Sequence, residues 1–93
     1  SHLLRRMENR FRRVLLDILH DLSDVDRKKL AFLLGKDVER RLRDNATVEG
    51  MLDIFQQLFD RGKISDENFS YLIDAFHGIK CDEVANRLKG RSI

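Results

Sequence analysis

Apolar residues recur every three or four positions along most of the chain, which is the spacing of one face of an α-helix. The longest such run comprises Leu4, Met7, Phe11, Val14, Leu15, Ile18 and Leu22. No segment shows the alternation of apolar and polar residues that is typical of a half-buried strand. The periodicity therefore predicts an all-α fold.

Capping residues divide this pattern into separate helices. A first helix is expected over residues 4–22. Ser23 followed by Asp26 matches a capping box and predicts the start of a second helix, which ends at Gly35. Residues 36–45 offer few apolar anchors, so we expect at most a short helix there and the most mobile part of the chain.

Three further helices are predicted in the second half of the chain. Thr47 caps a long helix that ends at Gly62, Ser65 opens the next, which ends at Gly78, and the last runs over about 80–89. The faces expected to be buried comprise Val48, Met51, Leu52, Phe55, Leu58 and Phe59, then Phe69, Leu72, Ile73 and Phe76, then Val84 and Leu88. The whole chain is thus expected to form five or six short helices.

Length and charge limit the kinds of function. The 93 residues are near the size of one domain, so we expect a single domain over 1–93, with Ser1 and His2 interpreted as a cloning remnant. The net charge of +2 is too balanced to attract the whole molecule to nucleic acid or an acidic membrane. Cys81 is the only cysteine, which favours a reducing compartment and predicts a cytoplasmic or nuclear protein. No apolar run is long enough to span a membrane, and the N-terminus has no signal-peptide pattern.

Motifs typical of metal sites and catalytic sites are incomplete in this sequence. The segment 60–76 has the glycine of a calcium-binding EF-hand, but the ligand positions would hold Gln57, Phe59, Arg61 and Asn68, which include no carboxylate. His77 and Cys81 could form half of a zinc site, yet no second ligand pair exists. A nucleophilic cysteine would need a histidine placed to act as its base, and the three histidines are scattered along the sequence without such a pattern. We therefore expect no enzyme activity, no metal and no cofactor.

Two groups of charged residues have ordinary explanations. The acidic pairs Asp66–Glu67 and Asp82–Glu83 fall at predicted helix starts, where they complement the helix dipole. The arginines Arg40, Arg41 and Arg43 lack interleaved aromatic residues and lie beside acidic ones. We interpret them as a solvated face and expect no nucleic-acid binding, while a small helical nucleic-acid binder stays an alternative.

Phe32 is out of phase with the face of its helix that should be buried. At 100° per residue, Leu30, Leu33 and Leu34 face inward together and Phe32 lies opposite to them. An outward aromatic forgoes roughly 1.5–3 kcal/mol of burial, so it indicates either a covering segment or a partner surface. Tyr71 is similarly out of phase with its neighbours.

The first helix is longer than a compact bundle of this size needs, because its apolar face extends back to Leu4 and Met7. Three interpretations stay open: a docking surface, self-association through helix exchange in a swapped dimer, or a helix that simply lies along the bundle.

Two segments resemble the death effector domain family. LAFLL, residues 30–34, preceded by Asp26, looks like the phenylalanine-leucine motif on the family's second helix, and residues 58–76 are similar to its fourth-to-fifth-helix segment. The resemblance covers Phe11 to Leu88. It implies a six-helix antiparallel bundle of the death-fold type, here with an extended first helix.

The family's charge triad is altered in this chain. Its members carry an acidic residue on the second helix and an Arg-x-Asp-Leu motif on the sixth, and the matching positions are Asp26, Lys80 and Asp82. Lysine in place of arginine loses bidentate pairing. Glu83 replaces the leucine, and Val84 is expected to take over its apolar contact.

The resemblance implies homotypic assembly in apoptosis signalling. The expected partners are death-effector-type domains of adaptors, initiator caspases or their regulators, or a second copy of the chain. In the family, the outward phenylalanine docks into a patch formed partly by the first and fourth helices, which makes Phe32 and Leu33 the expected anchor, with Tyr71 as a further contact. A caspase-recruitment or pyrin-type domain, which would use opposed charged faces, is the alternative.

Overall fold

The computed structural model describes residues 9–91 and contains five α-helices and two 3₁₀ turns. The helices are α1 (Asn9–Asp21), α2 (Asp24–Leu34), α3 (Val48–Asp60), α4 (Ser70–Gly78) and α5 (Asp82–Arg91). The 3₁₀ turns cover Gly35–Asp37 and Arg40–Leu42. Within the described residues there is no strand, only an isolated antiparallel bridge between Ser65 and Asn68. The prediction of an all-α fold is confirmed.

The six-helix count is not confirmed. Residues 36–45 were expected to form at most a short helix, and they form the two 3₁₀ turns. Between these turns Val38 has an extended backbone, with φ −130° and ψ 166°, and its side chain is buried. A continuous α-helix through this segment would withdraw Val38 from the core. The predicted extension of the first helix through Leu4 and Met7, with its helix exchange, lies outside the described residues.

The helices pack around one cluster of buried apolar side chains. The contacting pairs are α1 with α3, α2 with α3, α2 with α4, and α4 with α5. Phe55 and Phe76 are the largest fully buried side chains. Phe11 of α1 stacks on Phe69, which precedes α4, with ring centroids 5.2 Å apart and planes 6° from parallel. This aromatic pair brings the start of α4 against α1.

Hydroxyl caps start two helices where the sequence predicts them. The Ser23 hydroxyl accepts a hydrogen bond from the backbone N–H of Asp26 at 3.1 Å, and the Thr47 hydroxyl accepts one from Gly50 at 3.0 Å. Gly62 follows α3 with a φ of 75°, which suits a glycine after a helix end.

Two predicted helix starts are wrong. The helix expected to open at Ser65 begins at Ser70, because residues 65–68 form a tight turn and the Asn68 carboxamide oxygen accepts a hydrogen bond from the Ser70 N–H at 3.0 Å. Asp66 and Glu67 therefore lie before the helix and do not occupy its first turn. The last helix begins at Asp82 instead of Lys80, which has a φ of 62° and so cannot continue a right-handed helix.

Arg27 connects three parts of the chain through its guanidinium. Its Nε donates to the carbonyl of Ala46 at 3.1 Å, and one terminal nitrogen donates to the carbonyl of Leu22 at 2.8 Å. The other terminal nitrogen pairs with the carboxylate of Asp24. These bonds connect the end of α1, the first turn of α2 and the segment before α3.

Asp37 makes a second set of polar contacts, at the other end of α2. Its carboxylate accepts a hydrogen bond from the hydroxyl of Tyr71 on α4 and lies 3.8 Å from the Lys63 ammonium. Its backbone carbonyl accepts from Arg61 at 2.8 Å. The Tyr71 hydrogen bond lowers the pKa of Asp37, and burial together with that carboxylate raises the pKa of Tyr71. The chain between α2 and α3 is thereby held against α4.

Tyr71→Phe should reduce the free energy of unfolding by about 1–2 kcal/mol at near-neutral pH, because the variant loses a hydrogen bond to a charged acceptor. The lowered pKa of Asp37 means that its contribution is present above the ordinary value of 3.8 and is lost as the pH falls below it. The difference between wild type and Tyr71→Phe in urea unfolding should therefore shrink in acid. An equal difference at both pH values would contradict a stabilising hydrogen bond from Tyr71 to the charged Asp37. Asp37→Asn, which removes the carboxylate, is the matched control.

Gly50→Ala should destabilise the fold by about 1–3 kcal/mol, because a β-carbon there would overlap the backbone carbonyl oxygen of Asn45. Gly90→Ala is a control for which we expect stabilisation instead of destabilisation. Nothing lies within 4 Å of a β-carbon at Gly90 in α5, so alanine there should add up to about 1 kcal/mol through its helix propensity. Thermal unfolding of the two variants measures both effects. A Gly50→Ala protein as stable as wild type would rule out the close approach.

Candidate protein-binding surface

Phe32 faces solvent because the opposite face of α2 is held in the core. Leu30, Ala31 and Leu34 are buried, and their positions set the rotation of the helix. Phe32 is consequently 87% exposed. Val25, one heptad earlier and 60% exposed, lies on the same side of the helix. Helix α2 thus has one apolar face inside the bundle and apolar residues on its outer side.

Leu33 extends the apolar area around Phe32 towards α4. It is half-buried and packs against the backbone at Gly78, where a β-carbon would stand 3.0 Å from Leu33 Cδ2. A shallow groove of about 560 Å³ runs along this contact. We call it the Phe32 surface, and its side chains are Lys28, Lys29, Phe32, Leu33, Ile79 and Lys80.

Tyr71 adjoins the Phe32 surface instead of lying within it. It is half-buried and lines a neighbouring depression together with Leu33, Asp74 and Gly78. Its hydroxyl is already bonded to Asp37, so its ring edge is the part left to contact a partner. The structure therefore brings the three predicted contact residues, Phe32, Leu33 and Tyr71, to one side of the bundle. Their role in binding stays a prediction.

The three residues of the expected charge triad make other contacts in this structure. Asp26 interacts with Cys81, and burial followed by the nearby Asp26 carboxylate raises the pKa of that thiol. Asp82 lies 2.7 Å from Nδ1 of His77. Lys80 is exposed, and among residues 9–91 no ion pair joins it to Asp26 or Asp82. The triad pattern did not predict that Asp82 would contact His77.

A second apolar depression lies between α1 and α3, and no sequence motif identified it. Leu16 is 37% exposed, and Leu52 of α3 is half-buried beside it. We call this depression the α1–α3 groove, and its side chains are Arg12, Leu15, Leu16, Leu52, Asp53 and Gln56. The available signal was Leu16, which is apolar but outside the repeat that defines the buried face of α1.

The arginines considered for nucleic-acid binding do not act as one group. The Arg41 guanidinium pairs with Glu39 at 2.6 Å. The stem of Arg43 packs against Gly35, and Arg40 is exposed. Two of the three side chains are therefore engaged within the chain.

Residues 9–91 contain no group of three or more histidine, cysteine, aspartate or glutamate side chains placed to hold a metal ion. No helix in this range has both the length and the apolar character to cross a membrane.

One of the comparisons with known proteins gives a match. The family model of the death effector domain matches residues 11–92, which is most of the chain. No curated protein and no solved structure gives a significant match. The matched range contains the phenylalanine-leucine segment of α2 and every helix from α2 to α4. The chain belongs to the death effector domain family, whose members are protein–protein interaction modules of the death fold and not enzymes.

Proposed function

We propose that this domain assembles with like domains through the Phe32 surface. The observation that carries the proposal is the 87% exposure of Phe32 next to the half-buried Leu33. Of the two explanations for an outward aromatic, a covering segment is not found within residues 9–91. A partner that covered the ring would recover roughly 1.5–3 kcal/mol of burial. Aromatic residues, phenylalanine among them, are enriched in the buried cores of protein interfaces.

The α1–α3 groove is the proposed receiving surface. The family's docking patch involves its first and fourth helices, and the fourth helix corresponds to α3 here, because the 3₁₀ turns stand in place of the third. Leu16 and Leu52 supply apolar area in the groove. It is a separate depression from the Phe32 surface, and the two share no lining residue.

Two different surfaces on one domain make the contact heterologous. Each copy can offer Phe32 to one neighbour and its groove to another, so the assembly grows as a ring or an open chain. Such growth suits a module that gathers signalling proteins. We place it in apoptosis regulation, with adaptors, initiator caspases or their regulators as partners, in the cytoplasm. Tyr71 is proposed to flank the anchor, and Asp26, Lys80 and Asp82 to support the α4–α5 side of the surface.

Phe32→Ser should weaken self-association at least tenfold, corresponding to about 1.4 kcal/mol or more, since the anchor of the interface is removed. The fold should persist because the ring makes little contact with its own chain. Molar mass by light scattering, followed over about a hundredfold range of concentration, measures the effect. Arg40→Ser, an exposed change outside both surfaces, should behave as wild type. Undiminished association of Phe32→Ser would refute the proposal.

Leu16→Ser should produce the same loss from the other surface. Each variant keeps one intact half of the interface, so an equimolar mixture of Phe32→Ser and Leu16→Ser should form 1:1 dimers that grow no further. Sedimentation velocity of the mixture distinguishes this result from two monomers. Circular dichroism shows whether Leu16→Ser, which is partly packed, keeps its helices. A folded mixture that stays monomeric would count against the α1–α3 groove.

A further inference from the structure

All the charged side chains that helix α3 presents to solvent are acidic. Its sequence from Val48 to Asp60 contains no basic residue. Its charged side chains, Glu49, Asp53 and Asp60, are all exposed. Glu49 and Asp53 are four residues apart and lie on one side of the helix, and Asp53 lines the α1–α3 groove beside Leu52. The α3 side of this groove therefore combines apolar area with negative charge, while Arg12 lies on the α1 side.

Helix α2 carries the opposite charge on its outer side. Lys28 and Lys29 are exposed and lie four and three residues before Phe32, so both border the anchor ring. Lys80 lines the same surface from the α4–α5 connection. No acidic side chain lines the Phe32 surface. The charged side chains that border the apolar anchor are therefore all lysines.

The charges on both surfaces are available to a partner. Among residues 9–91, the ion pairs involve neither Lys28 nor Lys29, and neither Glu49 nor Asp53. Of the acidic residues at the start of α2, Asp24 pairs with Arg27, and Asp26 lies near Cys81. The four unpaired charges thus lie beside the two apolar areas that the proposed interface brings together.

We propose that the partner of this domain is a second copy of the same chain, selected and oriented by Lys28 and Lys29 of one copy facing Glu49 and Asp53 of the next. This inference rests on the proposed function and adds the residues that determine specificity. Burial of Phe32 and Leu16 supplies most of the affinity. The charges around them raise the association rate and exclude docking in the wrong orientation, where like charges would meet.

Salt should weaken this association. At about 0.01 M ionic strength the Debye length is ~30 Å, and at about 1 M it is ~3 Å, so exposed charge pairs are screened at high salt. Apolar contact alone would not weaken in this way, because many salts strengthen the burial of apolar surface. We therefore expect self-association to fall as sodium chloride is added, and we expect this loss only in associating chains whose interface pairs opposite charges.

Charge reversal and its rescue test the pairing. Lys28→Glu with Lys29→Glu should weaken self-association about tenfold or more, and so should Glu49→Lys with Asp53→Lys, since each places like charges across the interface. The chain carrying all four substitutions restores opposite charges and should associate within about threefold of wild type. Sedimentation equilibrium over a concentration series gives the dissociation constants. Thermal unfolding establishes that each variant is folded. Lys28→Gln with Lys29→Gln removes the positive charges without reversing them and should therefore cause a smaller loss of association.

Reversal of exposed charges elsewhere, Lys89→Glu with Glu67→Lys, is the matched control and should leave association unchanged. The inference is overturned if the reversed pairs associate as wild type does, if the four-substitution chain is not rescued, or if the wild-type chain stays monomeric. Loss of association in Phe32→Ser together with full association of the charge variants would overturn this inference alone and leave the proposed function standing.

Discussion

The burial of one face of α2 is the constraint on which the binding surface depends. Leu30, Ala31 and Leu34 are inside the core, and once they are there the helix cannot rotate to hide Phe32. The free energy gained by burying three side chains exceeds that forgone by exposing one. Exposure of the aromatic ring is therefore a consequence of how the helix packs and needs no local strain. The Phe32 surface stays in place as long as the core does.

Polar contacts hold the two ends of that helix. At its start, Arg27 connects the end of α1 with the segment that precedes α3. After its end, Asp37 bonds to Tyr71 of α4 and to groups that follow α3. These contacts fix the direction of α2 relative to its neighbours, whereas the core fixes its rotation. Phe32 and Leu33 are thus held in one defined position, so the proposed interface would lose less entropy on binding.

How far the sequence could predict the molecule differed from element to element. The helices whose ends are marked by a hydroxyl cap, after Ser23 and Thr47, begin where expected, because a cap acts through residues three positions apart. The start of α4 was misplaced because the residues after Ser65 form a tight turn, and Asn68 instead bonds to the first backbone N–H of the helix. Residues 36–45 form two 3₁₀ turns, in line with the expectation of at most a short helix, and between them Val38 is extended and buried among residues distant in sequence. Local patterns could not foresee contacts made with distant parts of the chain.

The sequence by itself determined the all-helical class, the outward position of Phe32 and the family resemblance, because helical periodicity and short motifs are encoded by neighbouring residues. Only the tertiary structure decided that Leu33 packs against Gly78, that Tyr71 is bonded to Asp37, and that Leu16 and Leu52 form one groove. Each of these facts joins residues from different helices. The distance between two helices depends on the packing of the whole core, which no single segment of sequence contains.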